Sequence, residues 1–369
     1  MGDRGAAVQL SRRQVLDHRI RVQQLPREAG TVKDTAVLDL GVQDTGPDGA
    51  LWALAVRGLV DPRPADLALA WSVRGAPHLY RRADLPSVAR AVQPWSDADA
   101  GKRIFDASKP LKAAGIGNLE ALDQVAAALR TVVTRPTVKG AVSAALNARL
   151  PEPHLRYCRP CDAIHVFEQP FRLASLRAGL ELEPGTSPPV LRPIPDFALL
   201  DEADPQHDVV RGYLHLLGPA THKDVAGYLD APPAEVRSRW PSDAVEVQVE
   251  GRPAWALEAD LPSLLEGGAV RVTRLLGPFD LLLQGRDRSL LVEDPVRAKQ
   301  LWPVLGRPGA VLVDGELVGT WRPRQSSGRL RIELDPWREL PDRDAVEEQA
   351  ARLAAHRAVE LAAVNVAGS

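Results

Sequence analysis

The chain has 369 residues, 45% of them apolar and 25% charged, which suits a globular protein with room for two to four small domains. No apolar run is long enough to span a bilayer, the amino-terminal MGDRGAAVQLSRRQ lacks the apolar core of a signal peptide, and two cysteines exclude a disulfide framework; a cytoplasmic protein is expected. The net charge of −2 hides an asymmetry: residues 1–100 carry 13 Lys and Arg against 12 Asp and Glu, residues 101–182 carry 12 against 7, and the remainder 21 against 29. A basic middle fits a chain that touches phosphates with its first half, although an ordinary solvated surface gives the same balance.

The stretch LSRRQVLDHRIRVQQL, residues 10–25, reads as a helix that Ser11 is placed to cap. Beyond it, Leu38, Val42, Leu51, Leu54 and Ala55 fit apolar spacings of three and four, interrupted by Gly46, Pro47 and Gly49, which predicts two short helices joined by a break. DLALAWSVRGAPHLYRR, residues 66–82, alternates through Leu67, Leu69, Trp71 and Val73 and turns at Arg74-Gly75, which predicts a hairpin. Asp84 then opens a short helix. Helices followed by a two-stranded wing form a winged helix, here residues 1–95.

Residues 96–182 repeat the plan. Leu122, Val125, Leu129 and Val132 recur at helical intervals, and HLRYCRPCDAIHVFEQPFR reads as extended. Residues 183–196, with five prolines between 183 and 195, read as a stiff linker. A third winged helix, residues 197–268, has a helix ending at Gly218-Pro219, a second begun by Thr221 with Asp224 three residues on, a third after Pro232-Pro233, and a wing turning at Glu250-Gly251. From Arg271 the pattern becomes strands, including a turn at Asp314-Gly315, so residues 269–340 suggest a small β-barrel or open sheet and residues 341–369 a closing amphipathic helix with Val346, Ala350, Leu353 and Leu361. The fold class is α+β: tandem winged helices, a small carboxy-terminal β-barrel and a terminal helix.

Two stretches carry a family resemblance. LGVQDT at residues 40–45 and WSVRGAPHLY at residues 71–80 resemble the winged-helix DNA glycosylases of the AlkZ and YcaQ kind, whose pattern is a Gln-x-Gln or Gln-x-Asp pair after Leu-Gly and a hairpin reading Trp-x-x-Arg-Gly-Thr-x-His. Gln43 matches the first residue of the pair, Thr45 stands at the second, and Trp71, Arg74, Gly75 and His78 match the hairpin. LLGPFDLLLQGRDR and VLVDGELVGTW resemble the carboxy-terminal part of the same family, so the likeness covers nearly the whole chain. It implies a partner in double-stranded, alkylated DNA and removal of bulky alkylated bases without metal or organic cofactor. A monomer is expected.

The chemistry of these residues is consistent with that reading. Cleaving an N-glycosidic bond needs a water near the anomeric carbon and stabilisation of an oxocarbenium charge; a Gln carbonyl orients water but is no base, which suits labile cationic bases. Thr45 holds water through its hydroxyl and brings no charge, and Asp44 points away from Gln43 on helix or strand alike. The competing reading of Gln43 and Thr45 is a polar loop before Gly-Pro. Arg74, Gly75, His78, Arg81 and Arg82 mark a wing tip suited to a minor groove or backbone, or else an exposed basic hairpin of no special role. The tryptophans, among them Trp52, Trp302 and Trp321, are read as core anchors.

His154, Cys158, Cys161 and His165 have the look of a zinc set. A hairpin turning at Arg159-Pro160 would pair His154 with His165 and Cys158 with Cys161, and four residues of strand cover roughly 13 Å, too far for one ion. A reduced structural pair is expected, with metal and redox roles as lesser alternatives. Two principal functions therefore stay open: a monofunctional DNA glycosylase using Gln43 and Thr45, and a DNA-binding winged-helix protein without catalysis, regulatory or lesion-sensing. The residue at 45 discriminates them. Protein contacts alone are a third option, kept open by the near-neutral charge.

Overall fold

The structure is a computed structural model describing residues 7–46, 48–266 and 268–367; Pro47, one of the expected interruptions, lies outside them. It is a mixed α and β fold in which helices followed by a hairpin recur three times before a carboxy-terminal sheet. No helix among the described residues is long and apolar enough to cross a membrane.

The first helix, Arg12–Val22, starts where Ser11 accepts from the Gln14 amide and the Gln14 side chain reaches back, a reciprocal cap. The expected pair of helices after it is in fact helix, strand, helix: Val37–Leu40, Val42–Gln43 and Gly49–Ala55. Gln43 therefore sits on a strand. The hairpin Leu67–Trp71/Pro77–Arg81 forms as expected around a 3-10 turn at Val73–Gly75. Asp84 stands at the start of the helix Leu85–Ala91 but caps no amide; its carboxylate faces Arg81 and His207 instead.

The sheets cross the sequence divisions. One six-stranded sheet runs Val42–Gln43, Pro77–Arg81, Leu67–Trp71, Leu180–Leu182, Val190–Pro193 and Thr137–Val138, so the first and second units share backbone hydrogen bonds. Part of the proline-rich stretch, Val190–Pro193, is thus a strand rather than free linker: Val190 and Leu191 pair with Thr137–Val138 on one side, and Leu191 to Pro193 with Leu180–Leu182 on the other. Val8–Leu10 lies parallel to Ala244–Val249 of the third hairpin, tying the amino-terminal end to the third unit. That hairpin turns at Glu250 and Gly251, both at positive φ (47° and 73°), the pairing a two-residue turn of matching twist requires.

In the carboxy-terminal part the order is Thr273–Leu276, Gly309–Val313, Glu316–Ser326, Arg329–Pro336 and Glu360–Val366. Its two outer strands do not pair, so among the described residues the expected barrel is an open sheet. The expected terminal helix also ends early. Arg343–His356 is helical, Ala358 takes φ 53°, and Glu360–Val366 becomes an edge strand parallel to Arg329–Pro336, carrying Leu361 with it. Backbone pairing with an open sheet edge outweighs the helical periodicity there.

Two large cores, with two smaller ones beside them among the described residues, hold these parts together. One packs Val37, Leu38, Trp71, Leu122, Leu129, Phe171, Tyr213, Tyr228 and Leu281 across all three helix–hairpin units. The other packs Leu16, Ile20 and Trp52 against Leu275, Trp302, Trp321 and Leu353. Between them lies a buried ion pair, Arg57 to Asp280 at 2.7 Å, in which the guanidinium also donates to Gln23 and to the Ala53 carbonyl. Removing one member would leave a buried charge alone, the costly case for such pairs. Thr221, capped reciprocally with Asp224 as the sequence suggests, offers a smaller test. Thr221→Ala is expected to lower stability by about 1 kcal/mol in a urea melt; an unchanged midpoint would count against the cap.

Candidate functional site

The site begins with a glycine. Gly41 has φ 86°, and a Cβ there would lie 2.4 Å from the Tyr80 ring, so only glycine lets the strand Val42–Gln43 approach the hairpin. Val42 then pairs with Leu79 and Gln43 with His78. On this short strand Gln43 and Thr45 face one way and Asp44 the other. Gln43 Nε2 donates to Thr45 Oγ1 at 3.0 Å. Asp44 accepts from the Ala50 amide at the start of the next helix and faces a separate cavity of about 890 Å³ lined also by Trp52, Leu69, Leu79 and His356.

Arg74 completes the constellation. It sits in the hairpin turn at φ 60°, a strained conformation for arginine that aims its side chain back at the sheet. Its guanidinium donates to Gln43 Oε1 at 3.2 Å, to Gln284 Oε1 at 2.7 Å and to the Tyr228 carbonyl, and lies 4.6 Å from the Tyr228 ring centroid. Tyr228 comes from the helix His222–Leu229 and Gln284 from the turn Leu281–Gln284. The first unit, the third unit and the carboxy-terminal part therefore meet at one guanidinium. With both amide atoms of Gln43 engaged, its orientation is fixed, and Thr45, whose oxygen accepts from Gln43, keeps its own O–H free to donate onward.

Arg286 and Arg307 lie near Arg74, and Arg288 lies near both of them. Burial first, then the charge of Arg74, pushes Arg286 and Arg307 below the ordinary arginine range; burial and then Arg307 and Arg286 do the same to Arg288. Among the described residues, Arg74, Arg286, Arg288 and Arg307 make no ion pair with a carboxylate. Crowded guanidiniums with no carboxylate in direct contact attract an anion such as phosphate. Sequence reasoning missed Tyr228, Gln284 and these arginines because they lie over 150 residues from Arg74; the polar run QGRDR after the three leucines 281–283 was the available signal.

The expected wing-tip residues are placed unevenly. His78 is fully buried, its Nδ1 beside Ser72 Oγ and the Ala76 carbonyl, both at 3.0 Å, and Ser72 in turn meets the Tyr80 hydroxyl. Arg81 is also buried, held by Asp39, Asp84 and the Val32 and Thr35 carbonyls. Neither is at an exposed tip, because the hairpin lies inside a six-stranded sheet rather than projecting from it. Arg82 is half-buried against Glu181, and Gly75 is buried where a Cβ would meet Gln169 Oε1 at 2.7 Å.

Burial pushes His78 down to about 3, with Arg74 adding to the effect, and pushes His18 down to about 4. The folded chain keeps both rings neutral where the unfolded chain would protonate them. Their stabilising contribution is therefore complete above the unfolded value of about 6.5 and is lost as pH falls below it. Unfolding free energy is expected to drop by about 1–2 kcal/mol for each ring between pH 7 and pH 5. Urea melts at the two pH values check this, and His78→Asn should remove part of the difference.

No curated protein matches the chain. Among solved structures, the Streptomyces sahachiroi DNA glycosylase AlkZ is similar, with a TM-score of 0.74 and 22% identity over 97% of this chain and 100% of that one. The two share a fold. The model of the AlkZ-like DNA glycosylase family matches residues 40–356, a span that takes in Gln43, Arg74, Tyr228 and Gln284 together, and the chain belongs to that family.

Proposed function

We propose that the protein is a monofunctional DNA glycosylase that grips duplex DNA and hydrolyses the N-glycosidic bond of bulky alkylated bases. The observation that carries this reading is the fixed Thr45–Gln43–Arg74–Gln284 array beside arginines that lack carboxylate partners. Gln43 orients the attacking water, Thr45 and Arg74 position the Gln43 amide, and the surrounding guanidiniums hold backbone phosphates. Gly75 shapes the turn that carries Arg74, and Arg82 lies at the margin of the DNA-facing surface. The partner is double-stranded DNA, the acting species a cytoplasmic monomer. The three helix–hairpin units, residues 1–95, 96–182 and 197–268, are read as tandem winged helices, followed by the sheet of residues 269–340 and the terminal segment 341–369.

Thr45 favours a second reading, a lesion-binding protein without catalysis, because a threonine brings neither the amide of Gln nor the carboxylate of Asp that the family's pair has at this position. Incubating the purified protein with duplex DNA carrying N7- or N3-alkylated purines and assaying abasic sites by alkaline cleavage separates the two; persistent absence of strand breaks would leave only binding. Affinity for duplex should fall steeply with salt. Arg286→Ala and Arg288→Ala should each flatten the salt dependence by about one unit of log–log slope and weaken binding across sequences alike. Binding indifferent to salt in fluorescence anisotropy would count against the phosphate role.

A further inference from the structure

The hairpin Leu155–Cys158/Ala163–Val166 takes no part in the site around Gln43, yet it gathers three metal-binding side chains. The observed register differs from the expected one by two residues, in a way that changes the chemistry. Arg156, not His154, faces His165, and Cys158 faces Ala163, which makes His165 the diagonal neighbour of Cys158 on the same face. Arg159–Cys161 forms a 3-10 turn, and Asp162 follows at φ 48°, curling Cys161 back toward the strands. The donor atoms of Cys158, Cys161 and His165 consequently all lie within 4.8 Å of one another. A tetrahedral zinc with bonds of about 2.0–2.3 Å holds its donors roughly 3.5–4 Å apart, so closing by a few tenths of an ångström to about 1 Å suffices.

The histidine is prepared for this. Its Nδ1 faces Ser143 Oγ at 3.4 Å, on the neighbouring helix Lys139–Asn147, while Nε2 is buried with no hydrogen-bond partner. One nitrogen steadied by a hydroxyl and the other left bare is the arrangement of a ligating imidazole. Cys161 is exposed, which gives an ion a path in.

We propose that Cys158, Cys161 and His165 bind one zinc ion, with water in the fourth position, and that the ion pins the hairpin turn. Both thiols ligate as thiolates, so two protons leave to solvent as zinc enters. His154 takes no part.

Zinc content after exhaustive dialysis, read by elemental analysis, is expected to be one per chain, and cobalt loading should give a thiolate-to-metal charge-transfer band. Cys158→Ser or Cys161→Ser should abolish both signals. His165→Asn should weaken zinc at least about tenfold, and His154→Ala should leave it unchanged. Thermal melts of each variant report folding separately from metal content. A folded wild type without retained zinc or a cobalt band, a Cys158–Cys161 disulfide by thiol titration and mass, or loss of metal in His154→Ala but not in His165→Asn would overturn the site.

Discussion

Gln43→Ala is expected to lower base release from alkylated duplex DNA by about a hundredfold to a thousandfold, with affinity for the same DNA nearly unchanged. A group that fixes the attacking water acts in the transition state, whereas affinity comes mainly from phosphate contacts made elsewhere. The surroundings favour a clean substitution. Arg74 keeps its bonds to Gln284 Oε1 and the Tyr228 carbonyl after the Gln43 amide is gone, so the turn that carries it retains two of its three anchors. Single-turnover cleavage and anisotropy on the same duplex separate the two quantities. Parallel losses of rate and affinity would assign Gln43 to binding rather than to chemistry.

Local elements were legible where one stretch contains both pattern and punctuation. Alternation closed by Glu250-Gly251 or Asp314-Gly315 predicts hairpins that form, because residues at positive φ fit the twist of paired strands. Ser11 and Thr221 predict helix starts because a cap is satisfied within three residues. What the sequence hides is non-local. The two-residue strand at Gln43 has no periodicity to detect, and its existence depends on Gly41 giving room to Tyr80. The divisions between units blur because strand partners such as Val8 and Val247 lie far apart in the chain. The resemblance singled out Gln43 for catalysis and Arg74 for DNA contact separately, while their hydrogen bond and its continuation to Gln284 follow only from tertiary packing. The expected pairing of His154 with His165 and of Cys158 with Cys161 is not formed, for a related reason: a shift of register in a hairpin exchanges one set of facing residues for another.

Thr45→Asp is expected to raise the rate on a labile cationic lesion by about a hundredfold. Thr45 Oγ1 already accepts from Gln43 Nε2 at 3.0 Å, and an Asp carboxylate oxygen in that place would accept the same bond, so the Gln43 amide keeps its orientation. The change adds a negative charge close to where the oxocarbenium develops, and a second carboxylate oxygen able to activate the water. Arg74 bonds the other end of the same amide, so the new carboxylate would stand near a fixed cation that keeps it ionised at neutral pH. The cost falls on binding, since a carboxylate repels nearby phosphates; a modest loss of affinity should accompany the gain in rate. Single-turnover kinetics with N3-alkylated purine duplex is the measurement, with Thr45→Asn as the neutral control. If the wild type releases no base, Thr45→Asp becomes the sharper experiment, because it rebuilds a Gln-x-Asp pair on a scaffold whose Gln43 is already held. A variant that binds lesion DNA well and still releases nothing would mean that more than one catalytic group is missing, and the lesion-binding reading would stand in place of the glycosylase.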